Sequence, residues 1–484
     1  MTISANPAIV KAMQSVIAAI PKAAADTTRP VYHFCPPALW MNDPNGTIYH
    51  NGYYHVFYQH NPYGDDWGHI HWGHARSQDL VQWEHLPIAL APSLELGEEH
   101  VFSGCARVND QGQPLLLYTS VKSGPAANRP PNEQWAALGD ADWITWQKHP
   151  ANPILALATH GGPPFDREWR DPFMFEEAGR TFMVLGGDYA DTAGVALYEA
   201  EDATLASWRY LGLAYEKPRS EILFFECPNF FKVDGKWVLL TSPYKPVEYL
   251  VGNFDLTSLK FRPEIEGVFD AGFSDMPNYY ATNILYDDQN RCIVLGWVRG
   301  FAKEHGWNGC LALPRILAIG PDGHPRQTPI PALEQLRGRH VTFSDLNVAD
   351  SSHVLKDVWS DTLEILATIR LGDAQAVGLK VRSAADGQQA ILIRYDGQTL
   401  HVAGTEIPYS VTGTQLKLHV FLDKSVMEIF VDDGRTAMTR VIYPPDEDLG
   451  VAVFAEGGNA HVNQLDVWTI QATIPSLEKF TISN

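Results

Sequence analysis

Short apolar runs separated by glycine-containing turns recur through most of the chain. His50-Asn51-Gly52-Tyr53 leads into Tyr54-His55-Val56-Phe57-Tyr58, Glu177-Ala178-Gly179-Arg180 into Phe182-Met183-Val184-Leu185, and Val233-Asp234-Gly235-Lys236 into Trp237-Val238-Leu239-Leu240. Each reads as a strand, a tight hairpin turn and a second strand. Two more copies carry Asp110-Gln111-Gly112-Gln113 before Leu115-Leu116-Leu117-Tyr118, and Asp287-Asp288-Gln289-Asn290 before Cys292-Ile293-Val294-Leu295. A third-strand signal follows several pairs, as in Trp72-Gly73-His74-Ala75 and Val195-Ala196-Leu197-Tyr198. The five copies start near residues 43, 103, 171, 226 and 281, about 55 to 68 residues apart. All-β repeats of this length predict the blades of a five-bladed β-propeller.

The pattern differs at both ends. Residues 7–20 place Ile9, Met13, Val16, Ile17 and Ile20 on one stripe, which predicts an amphipathic helix. Near 325–337 the texture turns proline-rich and includes a short helical piece, Ala332-Leu333-Glu334-Gln335-Leu336. Beyond it strands such as Ala390-Ile391-Leu392-Ile393-Arg394, Leu416-Lys417-Leu418-His419-Val420 and Met427-Glu428-Ile429-Phe430-Val431 predict an antiparallel β-sandwich. Asp386-Gly387, Asp396-Gly397 and Asp433-Gly434 read as its turns. The expected division is an N-terminal helical extension over 1–28, a propeller over 29–327, a linker with a short helix over 328–340, and a sandwich over 341–484.

Composition narrows the function. A chain of 484 residues with 45% apolar residues is large enough for two cores. Its net charge of −21 opposes nucleic acid and anionic membrane as partners and suits a neutral substrate. The five cysteines are widely spaced and form no C-x-x-C pair, which points to free thiols in a reducing compartment. The N-terminal apolar stretch is broken by Lys11, Gln14 and Lys22 and does not read as a secretory signal. No run approaches the length of a membrane span.

The chemistry lies at the starts of three repeats. Asp43 in Trp40-Met41-Asn42-Asp43-Pro44-Asn45-Gly46, Asp171 in Trp169-Arg170-Asp171-Pro172 and Glu226 in Phe225-Glu226-Cys227-Pro228-Asn229 each stand beside Pro or Cys-Pro. Read as one shared position on the innermost strand of three blades, they converge on the propeller axis. Two carboxylates in a partly dry funnel, one ionised and one protonated, suit glycoside cleavage. Glu226, beside Phe224 and Phe225, is the candidate for the protonated one, and Arg170 is the expected cationic partner of Asp171. Trp40 adjoins the first motif and Trp67 lies in a glycine-rich loop, so both are candidates to stack on a sugar. Tyr54, Tyr58, Trp72 and Trp83 read as core. His55, His60, His69, His71 and His74 cluster without a spacing that fixes a metal site, so internal hydrogen bonding is the expected role and no metal is assigned.

These motifs together resemble glycoside hydrolase family 32, the invertase, levanase and inulinase family. Further matches are Phe57-Tyr58-Gln59, Trp72-Gly73-His74-Ala75, Phe102-Ser103-Gly104, Leu313-Pro314-Arg315 and, in the second domain, Asp423-Lys424-Ser425-Val426-Met427-Glu428-Ile429-Phe430. The resemblance implies Asp43 as nucleophile, Glu226 as acid/base and Asp171 as transition-state stabiliser. It further implies that Asn42, Gln59, Trp67, Phe102, Ser103 and Arg170 hold a fructosyl unit, with no metal or other cofactor. The implied activity is a retaining β-fructofuranosidase acting on sucrose or short fructo-oligosaccharides. Fructosyl transfer from the same site, an exo-fructanase, a related arabinan-type hydrolase and a non-enzymatic sugar-binding propeller are the alternatives. The N-terminal helix followed by Arg29-Pro30-Val31-Tyr32-His33 resembles intracellular bacterial sucrases, which implies a cytoplasmic protein. Monomer and homo-oligomer stay open. Two departures from the family pattern, the short stretch over 94–100 and Asn229, lie near the expected funnel rim and acid/base.

Overall fold

A computed structural model describes residues 6–124, 129–166, 168–385, 387 and 389–481; Asp386, expected in a turn, lies outside them. Five antiparallel sheets follow one another in sequence, each starting with the strand that lines the axis: Leu39–His50, Glu98–Val108, Trp169–Glu177, Asn229–Val233 and Tyr279–Tyr286. The ring closes where Trp307-Asn308, from the fifth blade's connection, pairs in parallel with Leu39-Trp40 of the first. Second strands such as Leu115-Leu116-Leu117 are wholly buried because neighbouring blades cover both faces of each sheet. That packing explains continuous apolar runs where an exposed sheet would alternate. The first hairpins of blades one, three and four turn through Asn51-Gly52, Ala178-Gly179 and Asp234-Gly235, all with positive φ at both residues. This backbone matches strand twist and selects glycine at the second place.

A 3₁₀ turn over Pro331–Leu336 connects the propeller to two six-stranded antiparallel sheets packed face to face. The seam between the domains joins an apolar cluster, in which Leu313, Ile330 and Leu333 meet Phe421, Phe430 and Ile470, to a buried polar network. Arg315 donates to Asp270 at 2.9 Å, Gln327 at 2.8 Å, Glu428 at 2.6 Å and Thr439 at 2.7 Å. His33 lies 2.8 Å from Asp423 and 3.1 Å from Glu428. The two carboxylates of the second-domain motif therefore face the propeller and the segment that precedes it.

The N-terminal helix, Pro7–Ala24, starts with Asn6 capping the Ala8 N–H at 2.9 Å. Its buried face is Ala12, Met13, Val16 and Ala23, with Ile9 and Ile20 packed beside them. Ile17, expected on that stripe, is 40% exposed. The helix rests on the propeller through Met13 and Val16 flanked by the small Ala12 and Ala23, and Ile17 lies outside this face. Among the described residues no helix is long and apolar enough to cross a membrane.

Candidate active site

All five blades contribute to a cluster at one end of the axis. Asp43 and Asp171 lie in the first and third inner strands, while Glu226 precedes the fourth. Blades three to five share a local geometry: Asp171, Cys227 and Ala281 all have positive φ, and the N–H of each donates to a side chain, Thr119, Asp171 and Ser242 respectively. The residue level with Asp171 is therefore Cys227. Glu226 sits one place earlier, level with Arg170 and Tyr280, which corrects the expected single shared position. The one-residue offset turns Glu226 toward Arg170 and Tyr280 while Cys227 supplies the backbone bond to Asp171.

Asp43 Oδ2 accepts from the Ser103 hydroxyl at 2.5 Å, the Gln59 amide at 3.4 Å and the Cys227 thiol at 3.6 Å. Gln59 also donates to Ser103 Oγ at 2.6 Å, which orients that hydroxyl. Gly104 follows because a Cβ there would lie 2.0 Å from the Leu117 carbonyl. Asp171 Oδ2 accepts from the Cys227 N–H at 3.0 Å. Glu226 is bonded at both oxygens, to Arg170 Nη2 at 2.9 Å and to the Tyr280 hydroxyl at 2.6 Å. Arg170 does not pair chiefly with Asp171, as its sequence neighbour suggested. Its closer carboxylates are Glu226 and Glu168, the latter at 3.0 Å, with Asp171 at 4.0 Å. Phe102 and Phe224 flank the guanidinium with ring centres 5.9 and 4.9 Å away.

Burial dominates the electrostatics. It raises Asp43 to about 6 despite the Ser103 hydrogen bond, with the nearby Asp171 charge adding to the rise. It raises Glu226 to about 7, where Arg170 opposes and the Asp171 and Asp43 charges reinforce the shift. Asp171 is also raised by burial, against the pull of Arg170. Burial and mutual repulsion both favour keeping a proton in this carboxylate cluster, and Glu226 is more basic than Asp43.

Asn42 is buried beside Asp43, and its Oδ1 has no partner within the protein. Trp67 is 54% exposed at the rim, 5.0 Å from the His100 ring and 6.4 Å from Phe102. Trp40 is buried against Trp297, and Tyr54, Tyr58, Trp72 and Trp83 are core. His55 pairs with His74 at 3.1 Å, and His60 binds the Trp40 carbonyl at 2.8 Å. Burial lowers the pKa of His55, His60, His71 and His74. Among the described residues no group of three or more His, Cys, Asp or Glu is placed to hold a metal ion.

The sequence did not single out Cys227, Glu168, Tyr280 or Tyr244 as site residues. Tyr280 has a signal there, since Tyr280-Ala281 begins the fifth repeat at the level of Glu226-Cys227. Tyr244, whose hydroxyl accepts from Arg170 at 2.6 Å, follows no repeat position and has none.

The model of the glycosyl hydrolases family 32 N-terminal domain matches residues 33–329, and that of the family's C-terminal domain matches 332–469. A sucrose-6-phosphate hydrolase of Escherichia coli is 30% identical over 487 residues, covering 95% of this chain and 98% of that protein. A levanase of Bacillus subtilis is 30% identical over 515 residues, covering 94% of this chain and 72% of its own length. Among solved structures, a mutant Bombyx mori GH32 β-fructofuranosidase in complex with sucrose superposes with a TM-score of 0.80 at 26% identity, over 96% of this chain and 99% of that one.

Proposed function

The chain belongs to glycoside hydrolase family 32, and from that premise we propose that it hydrolyses the terminal β-D-fructofuranosyl group of sucrose or short fructo-oligosaccharides by double displacement. Asp43 attacks the anomeric carbon. Glu226 protonates the leaving oxygen and then takes a proton from the water that frees the sugar. The observation that carries this reading is the difference between the two groups. Asp43 accepts three donors and is raised to about 6, while Glu226 is raised to about 7. Between those values Asp43 is mostly ionised and Glu226 mostly protonated.

Asp171, fixed by the Cys227 N–H, stabilises the positive charge that develops on the ring. Asn42, Gln59, Trp67, Phe102, Ser103 and Arg170 hold the fructosyl unit. The free Asn42 oxygen and the exposed Trp67 ring support this. The protonated Glu226 requires no metal to activate the leaving group. Five buried, free cysteines support a cytoplasmic setting.

Two displacements at one carbon return the starting configuration. NMR of the first turnovers, with sucrose, sucrose 6-phosphate, inulin and levan compared side by side, should show fructose released as the β-anomer before mutarotation. Initial α-fructose would rule out the double displacement.

A further inference from the structure

A small chamber of about 10 Å³ adjoins the carboxylates, and its walls include Asn45, Asp171, Cys227, Asn229 and Thr282. Asn45, Asn229 and Thr282 are 0%, 2% and 2% exposed. Asn45 Nδ2, Asn229 Oδ1 and Thr282 Oγ1 have no hydrogen-bond partner within the protein. Their orientations are nonetheless set. Asn45 Oδ1 accepts from the Gly104 N–H at 3.2 Å, and Asn229 Nδ2 donates to the Cys227 and Thr282 carbonyls, both at 3.1 Å. The residues lining the chamber thus include one unpartnered donor, one unpartnered acceptor and one unpartnered hydroxyl, all neutral. Buried groups of this kind are costly unless bonded. A volume near 10 Å³ takes about one water, which both donates and accepts. The Asp171 carboxylate on the wall opposes an anion.

A second cavity of about 600 Å³ is lined by the far ends of the inner strands, including Thr47, Arg107, Glu176 and Lys232. Phe173 and Asn283 line both cavities, so the chamber adjoins the opposite mouth of the propeller. Asn229 also holds the Cys227 carbonyl, and Cys227 in turn bonds Asp171 through its N–H at 3.0 Å and Asp43 through its thiol at 3.6 Å.

We propose that this chamber is a water site, filled from the opposite mouth, that steadies the Cys227 peptide and thiol against Asp171 and Asp43. Its effect on turnover rests on the carboxylate roles assigned above; its occupancy does not. Thr282 is a positioning residue here, because it reaches the carboxylates only through this water and Asn229.

A high-resolution crystal structure of the full chain should show one ordered water within hydrogen-bonding reach of Asn45, Asn229 and Thr282. Thr282→Val keeps the side chain's shape and removes its hydroxyl. It should lower kcat on sucrose about tenfold at nearly constant KM. Looser bonds to both ionised carboxylates should also move the acid limb of kcat/KM upward by about half a pH unit. A change that merely loosened the fold would not shift this limb. Thr282→Ser should restore both values. A chamber without water in the wild-type protein would overturn the proposal, as would Thr282→Val with unchanged kcat and acid limb. Occupancy is read without turnover, so failure of the Asp43 assignment in its own tests leaves the water site standing.

Discussion

The nucleophile and the acid/base are both carboxylates, so their surroundings must separate them. Asp43 is held by three donors and ionises first, while Glu226 keeps its proton longer although Arg170 lies 2.9 Å away. The profile of kcat/KM against pH should therefore be a bell, with an acid limb near 6 from Asp43 and a basic limb near 7 from Glu226, the two read as macroscopic values of the coupled cluster. Glu226→Gln should lose most activity on sucrose. On a fructoside whose leaving group needs no proton it should lose less and show no basic limb. An unchanged basic limb would mean that another group supplies the proton. Asp43→Asn should retain the fold and lose ~10⁴-fold or more in kcat, by analogy with the loss of other covalent nucleophiles. Near-normal turnover of the folded variant would remove Asp43 from its role.

At the scale of elements, the hairpins were legible because Asn51-Gly52 and its counterparts encode a specific turn, and buried second strands encode continuous apolar runs. The offset of Glu226 was not. Spacing to the turn glycine tolerates one residue of slack, and only the backbone angles at Asp171, Cys227 and Ala281 resolve it. Ile17 was misplaced because a stripe drawn from large apolar residues overlooks alanines that pack closely. The same scale holds the lock between the domains. Two carboxylates in contact raise His33 from 6.5 to about 9 in the folded protein, although burial opposes its charge. Its stabilisation is fully present below about 6.5 and is lost as pH rises through about 9, an effect on the order of 3 kcal/mol. The melting temperature of His33→Gln should therefore lie well below that of the parent at pH 6, with the gap closing above pH 9. A gap independent of pH would show that His33 acts by packing alone.

For the whole molecule, the propeller builds the site and the sandwich supports it. Arg315, Asp270, Glu428 and His33 are buried, and Glu428 of the sandwich pairs with both His33 and Arg315 across the seam. Ending the chain after about residue 335 would leave Arg315 and Asp270 without Glu428 and Thr439, and uncover the apolar surface around Ile330 and Leu333. The truncated protein should show lower solubility and a lower melting temperature. A propeller that kept full stability but lost sucrose binding would instead give the sandwich a direct part in the site. Trapping tests whether the blades assemble one covalent nucleophile. Glu226→Gln, incubated with a fructoside bearing a good leaving group and quenched in acid, should accumulate enzyme heavier by one fructosyl unit. Peptide mass spectrometry should place the added mass on Asp43. An adduct on Asp171, or rapid turnover with no adduct on any residue, would contradict the account.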